Sequence, residues 1–253
     1  MRCLKQNKMK KQAVVMGMLA TVNVIDSRVT EEDLSEVFSY FHFIDKKFST
    51  YKVDSEISQI NRGELKKVQF SNEMKKILAL CEETKKETDG YFDANLNGIL
   101  DPSGLVKGYA IFEGAEILRK KGFLNYFLEI AGDIQTQGKN EKGESWRVGI
   151  QNPFNTDEII KVVRLSDKGI ATSGNYIRGN HIYNPRERRL AEEIAGITVI
   201  GPNVYEADRF ATATFAMGEK GIEFIEKLKG FEGYMVKKDK QAVFTSGFED
   251  YIN

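Results

Sequence analysis

Two cysteines and two histidines among 253 residues leave little material for a disulfide framework or a histidine-rich metal cluster. Cys81 falls on the apolar face of an expected helix and Cys3 in the N-terminal segment, so no pairing is implied and a reducing compartment is expected. Net charge is lacking too: Lys and Arg total 37, as do Asp and Glu. With no basic patch interleaved with aromatics, nothing draws nucleic acid or an anionic membrane, and nucleic acid is excluded as a partner. No run approaches the ~18 apolar residues of a membrane span, so no transmembrane segment is expected. Internal repeats and low-complexity linkers are absent as well. At this length one large domain or two small lobes can bury a real core.

The start of the chain carries Arg2, Lys5, Lys8, Lys10 and Lys11 ahead of an apolar run from Ala13 to Ala20, an order that imitates a secretory signal. The run continues to Ile25 with polar interruptions and no small-residue cleavage site. It is therefore read as a β-strand of the mature protein, behind a flexible basic terminus over residues 1–12, and a cytoplasmic location is expected. Met9 is an alternative start.

Thr30 to Asp33 resembles a capping box, and Leu34, Val37, Phe38, Phe41, Ile44 and Phe48 follow at helical spacing. His42, among those aromatics, is read as a partly buried packing residue. Residues 48–62 read as a polar loop. Ser71 opens a second helix with Met74, Ile77, Leu78 and Cys81 on one stripe, ending near Asp89-Gly90, and Ser103 caps a third that stops at Gly122. Short β-prone runs follow at 126–130, 146–151, 159–165 and 197–200, then helices at about 205–216 and 219–229 and a terminal hairpin from 234–237 and 242–245. The pattern is α+β, with two closely packed α/β lobes and a cleft between them.

Several segments carry more chemistry than a fold needs. Asp208 and Thr212 lie four residues apart in a helical segment, which puts a carboxylate and a hydroxyl on one face. Two hard oxygens suit Mg²⁺, which fills its other positions with water or phosphate; a helix cap above a back-bonding Thr has the same spacing. Asp101 precedes a helix with Lys107 in its early turns. That arrangement is either a phosphate site at a helix N-terminus or a capped helix with a solvated lysine. Ala131-Gly132-Asp133 and Ala171 to Tyr176 are each a β-turn or an anion-binding nest. His181, between short strands, can accept a proton from a hydroxyl near neutral pH.

In order along residues 13–218 stand Met16-Gly17, Phe48-Ser49-Thr50-Tyr51, Ser55-Glu56-Ile57, Asp89-Gly90-Tyr91-Phe92-Asp93, Asp101 to Ala110, Ala131-Gly132-Asp133, Thr172 to Tyr176, His181 to Pro185 and Ala207 to Thr212. This series resembles the ApbE family of FAD:protein FMN transferases. The resemblance implies a single catalytic domain of two packed lobes over 13–253, with a flavin-binding cleft. It also implies Mg²⁺-assisted cleavage of FAD, the FMN half passing to a Thr or Ser hydroxyl of an acceptor flavoprotein as AMP leaves. By matching positions, FAD contacts fall on Met16, Tyr51, Tyr91, Phe92, Asp93, Asp101, Lys107 and Ile182. The metal falls to Asp208, Thr212 and the main-chain oxygen of Gly104, and His181 is the base.

Two positions depart from the family pattern: Met18 replaces a threonine after Met16-Gly17, and Ala131 replaces a glycine before Gly132-Asp133. Two other readings stay open at this level, hydrolysis of FAD to FMN and AMP, and a non-catalytic FAD-binding module.

Overall fold

A computed structural model describes residues 8–175 and 182–252. Its basic start is a strand. β1 (Lys8–Val15) and β2 (Met18–Ile25) form an antiparallel hairpin. The turn residues are Met16 at φ 53° and Gly17 at φ 71°, the positive pair that a two-residue hairpin turn requires. The apolar run expected as one strand is therefore split in two. Residues 8–12, expected in a flexible terminus, are ordered by alternation: Lys8, Lys10 and Gln12 face solvent while Met9 and Ala13 pack on the core. β1 is also the sheet's edge, where lysines discourage further pairing.

α1 (Glu31–Phe48) opens on the expected capping box, with the Thr30 side chain accepting the Asp33 N–H, and buries the expected stripe from Leu34 to Phe48. Each such Phe or Ile contributes about 1.5–3 kcal/mol of burial free energy. His42 lies off that stripe and is exposed rather than partly buried. Within the expected polar loop sits α2 (Glu56–Asn61), capped by Ser55 Oγ accepting the Ser58 N–H and anchored by buried Ile57. α3 (Asn72–Glu87) is capped by Ser71, and the chain then turns through positive φ at Asp89 and Gly90. The small hairpin β3 (Asn95–Leu96) and β4 (Ile99–Leu100) leads into α4 (Ser103–Lys120).

The remaining strands are β5 (Tyr126–Ile130), β6 (Asp133–Gln137), β7 (Trp146–Asn152), β8 (Asn155–Leu165), β9 (Gly169–Gly174), β10 (Tyr183–Asn184), β11 (Arg189–Leu190) and β12 (Ile194–Gly201). After α5 (Val204–Ala216) and α6 (Gly221–Glu226), the hairpin β13 (Glu232–Lys237) and β14 (Ala242–Phe244) closes the chain as expected.

One eight-stranded sheet runs β1-β2-β5-β6-β9-β12-β13-β14, antiparallel at every pairing. α1 and α4 pack together with α4 on β5 and β6, while α5 lies on β9 and β12 and α6 on β13. Neighbouring residues show the two faces: Ala171, Val199 and Met235 join the α5 core, whereas Ile170, Ile200 and Tyr234 join a separate core with Val148, Ile150 and Val163 of the β7–β8 hairpin. Helices thus cover one face and a hairpin covers part of the other. The α4–α5 contact joins the two helical groups, and the cleft opens beside it.

Candidate active site in the cleft

The cleft holds about 420 Å³ and is walled by the β1–β2 turn, the segment after α1, the 91–93 loop, the start of α4, the end of β9, residues 182–185, and α5. Met16, Tyr51, Tyr91, Phe92, Asp93, Asp101, Gly104, Lys107, Ile182, Asp208 and Thr212 all line it. Folding therefore brings together every candidate residue within the described part of the chain. His181, the candidate base, lies outside the described residues.

The floor depends on two glycines. A Cβ on Gly104 would lie 2.9 Å from Thr212 Cγ2, and one on Gly108 would lie 2.5 Å from Asp208 Cβ and 2.8 Å from the Val204 carbonyl oxygen. Spaced by one helical turn, these glycines form a groove on α4 that admits the Asp208–Thr212 face of α5. Within the groove the Gly108 N–H donates to Asp208 Oδ2 at 2.7 Å, and Thr212 Oγ1 donates to the Gly104 carbonyl oxygen at 3.0 Å. Carboxylate, hydroxyl and carbonyl oxygens thus share one corner of the cleft.

Burial drives the Asp208 carboxyl well above its ordinary range, and the charge of Asp133 pushes the same way; Lys107 and the Gly108 N–H pull it back. Lys107 Nζ lies 2.7 Å from Asp133 Oδ2. Two carboxylates face a single ammonium, so a cation placed here would relieve their repulsion. Among the described residues no three His, Cys, Asp or Glu side chains gather into a metal-binding group. Oxygen donors with a single charged carboxylate fit Mg²⁺, which binds through one or two carboxylates and completes its shell with water or phosphate. Asp208, Thr212 and the Gly104 carbonyl would hold it.

The other walls are apolar and aromatic. Phe92 is buried, whereas Tyr51 is 97% exposed at the mouth. Tyr91 is stacked under the Arg186 guanidinium at 5.0 Å, and Arg186 is paired in turn with Asp89. Asp93 forms an ion pair with Lys85 at 2.7 Å and accepts the Asn95 N–H. Asp101 Oδ1 accepts the Ser103 N–H at 3.0 Å. Ser103, expected to cap α4, is instead its first residue after Pro102, which makes no side-chain cap bond. Asp101 shapes the entry to the helix as well as facing the cleft.

Ala131-Gly132 is the turn between β5 and β6, with φ of 49° and 89°. Thr172 to Gly174 belongs to β9 and is no turn. Of the two departures from the family pattern, Met18 and Ala131 both line the cleft. Residue-by-residue reading did not single out the Asp133–Lys107 ion pair or the Gly104–Gly108 groove. The groove had a signal: glycines four apart in one helix matched to Asp and Thr four apart in another.

An antiparallel sheet carrying two helical groups, with an oxygen-lined corner and a lysine in the cleft beside their contact, defines an α+β protein with a polar corner set in an aromatic cleft. The ApbE family model matches residues 16–101 and 94–235, and the chain belongs to that family. It is 25% identical over 299 aligned positions to the FAD:protein FMN transferase of Haemophilus influenzae, covering 89% of this chain and 86% of that protein. The match to the Salmonella typhimurium enzyme of the same name, 28% identical, spans 45% of that protein. The ApbE protein of Thermotoga maritima superposes with a TM-score of 0.88 over 98% of this chain and 100% of its own, at 19% identity.

Proposed function

We propose that the chain is a Mg²⁺-dependent FAD:protein FMN transferase. The observation that carries this reading is the corner where α4 and α5 meet, with Asp208, Thr212 and the Gly104 carbonyl set beside Lys107 in a cleft with aromatic walls. Aromatic and apolar groups at Met16, Tyr51, Tyr91 and Phe92 would flank the flat rings of FAD, and Ile182 adds to that wall. The ammonium of Lys107 would offset charge on the pyrophosphate as it grows during in-line attack. Bound at Asp208, Thr212 and Gly104, Mg²⁺ would supply Lewis-acid stabilisation of the same charge. His181 would take the proton from a Thr or Ser hydroxyl of an acceptor flavoprotein. The hydroxyl oxygen then bonds to the phosphorus nearer the flavin, the bond to the AMP oxygen breaks, and AMP leaves. Family membership and the name of the Haemophilus relative support the same chemistry.

The test is incubation of the purified chain with FAD and Mg²⁺, with and without an acceptor protein bearing a flavinylated-type Thr, read by intact mass and AMP release. A flavin-sized mass gain on the acceptor together with AMP is expected. AMP without labelling would replace the reading with FAD hydrolysis, and tight FAD binding with neither product would replace it with a binding module.

A further inference from the structure

We propose that Asp133 is a positioning residue that holds the Lys107 ammonium against the cleft from behind, an inference that rests on the transferase reading above. Asp133 opens β6 directly after the Ala131-Gly132 turn and is 1% exposed. Its register partner is Ile130, a member of the core under α4, so its side chain faces the helices. One carboxylate oxygen accepts a backbone hydrogen bond, and the other, without a hydrogen bond among the described residues, is held by an ion pair. The β6–β9 pairing runs only through Ile134↔Ile170 and Gln135↔Gly169; just beyond its end, Asp133 Oδ1 accepts the Thr172 N–H at 3.2 Å. Oδ2 meets Lys107 Nζ at 2.7 Å. The backbone of β9 thus fixes the carboxylate, and the carboxylate fixes the ammonium.

Lys107, Thr172 and Asp208 line the cleft and Asp133 does not, so any effect of Asp133 on a ligand passes through these neighbours, the charge of Asp133 acting on Asp208 as well as on Lys107. A lysine ammonium on a four-carbon stem samples many rotamers unless something anchors it. Charge that stabilises a transition state is effective when it is already in place, and a misplacement of about 1 Å can cost about 10²-fold in rate. A buried ion pair of purely structural value would sit away from the ligand. This one presents its cation to the cleft, with the Lys107 side chain 19% exposed.

The test is a double-mutant cycle of Asp133→Asn and Lys107→Ala, read by FAD affinity in a fluorescence titration, kcat and KM for AMP release, and thermal melting. Asn preserves shape and can still accept the Thr172 N–H, while the charge facing Lys107 is lost. In the wild-type background Asp133→Asn should lower kcat about 10-fold or more and weaken FAD affinity by about threefold or more, within the range of coupling between contacting residues. In the Lys107→Ala background it should weaken neither further by more than about twofold. Equal factors in both backgrounds, or losses that follow the melting temperature alone, would overturn the assignment. If the wild type releases no AMP, the transferase reading fails, and the affinity cycle still decides the role of Asp133. Should the Asn variant not fold, Asp133→Glu, which keeps the charge and displaces it by one methylene, is read in the same two backgrounds by the same criteria.

Discussion

Gly108→Ala separates helix propensity from site geometry. In an ordinary exposed helix the change stabilises by about 1 kcal/mol, because alanine restricts the unfolded chain and favours the helix. Here the new methyl would lie 2.5 Å from Asp208 Cβ, 2.8 Å from the Val204 carbonyl oxygen and 2.9 Å from Asp208 Oδ2. Two of those atoms belong to the body of α5 rather than to the end of a flexible side chain, so the helices must part. Overpacking of this kind costs about 1–3 kcal/mol, and contact with backbone places it near the top of that range. The net loss is about 2 kcal/mol, or a fall of about 4–8 °C in melting temperature for a chain of this size. Parting the helices also breaks the Gly108 N–H bond to Asp208, so Mg²⁺-dependent AMP release should fall further than stability does. Gly114→Ala is the control. Its methyl would meet Phe41 Cε1 at 2.7 Å, on the α1 side of the same helix, and should lower the melting temperature while sparing turnover at 25 °C. A Gly108→Ala protein with a raised melting temperature and wild-type turnover would refute the groove argument.

Ala131→Gly should raise the melting temperature by about 2 °C, because alanine at φ 49° bears about 1–2 kcal/mol of left-handed strain, only partly offset by the greater unfolded-state freedom of glycine. A lowered melting temperature would mean that the methyl's packing outweighs its strain. Burial pushes the Glu129 carboxyl up, while the Gly132 N–H and Lys10 act against that. With its folded pKa above the unfolded one, the group's contribution to stability is fully present below the unfolded pKa and is lost as pH rises through the folded pKa. Glu129→Gln should therefore melt higher than wild type at pH 8, with the gap closing as pH falls below the unfolded-state pKa of about 4.3, where both states of the wild type become protonated. A gap independent of pH would remove the ionisation argument.

Local signals made the helices and the terminal hairpin legible. The Thr30–Asp33 capping box, the Ser71 cap and the Gly122 stop act within a few residues, and apolar stripes mark which face is buried. Cleft residues were legible because their order along the chain matches a family pattern, and the fold brings them together. What escaped is set by partners distant in sequence. Asp133 reads as the end of a turn until Lys107, on another element, arrives beside it. β1 was hidden because an edge strand rich in lysine has the composition of a loose terminus. The six residues of α2 are too few for periodicity, and only the Ser55 cap and buried Ile57 show why they are helical. His42 misled because a helix dense in aromatics can still have an exposed side.

Gly104, Lys107 and Gly108 lie within five consecutive positions of α4, and each answers a different demand of the same corner. The glycines let α5 approach until Asp208 and Thr212 meet the α4 backbone, and the lysine reaches past that contact to Asp133 on the sheet. Two glycines in a helix interior weaken it by about 1 kcal/mol each relative to alanine. α4 tolerates this because Leu105, Val106, Tyr109 and Ala110 are buried around them, and burial on this scale contributes about 1.5–3 kcal/mol per large apolar side chain. Substitutions at 104 or 108 that strengthen the isolated helix would therefore push α5 away and cost both packing and the site, so the two glycines serve stability and site geometry together within one turn of one helix. The same spacing explains why the lysine cannot drift along the helix: a shift by one residue turns its side chain about 100° away from both the cleft and Asp133.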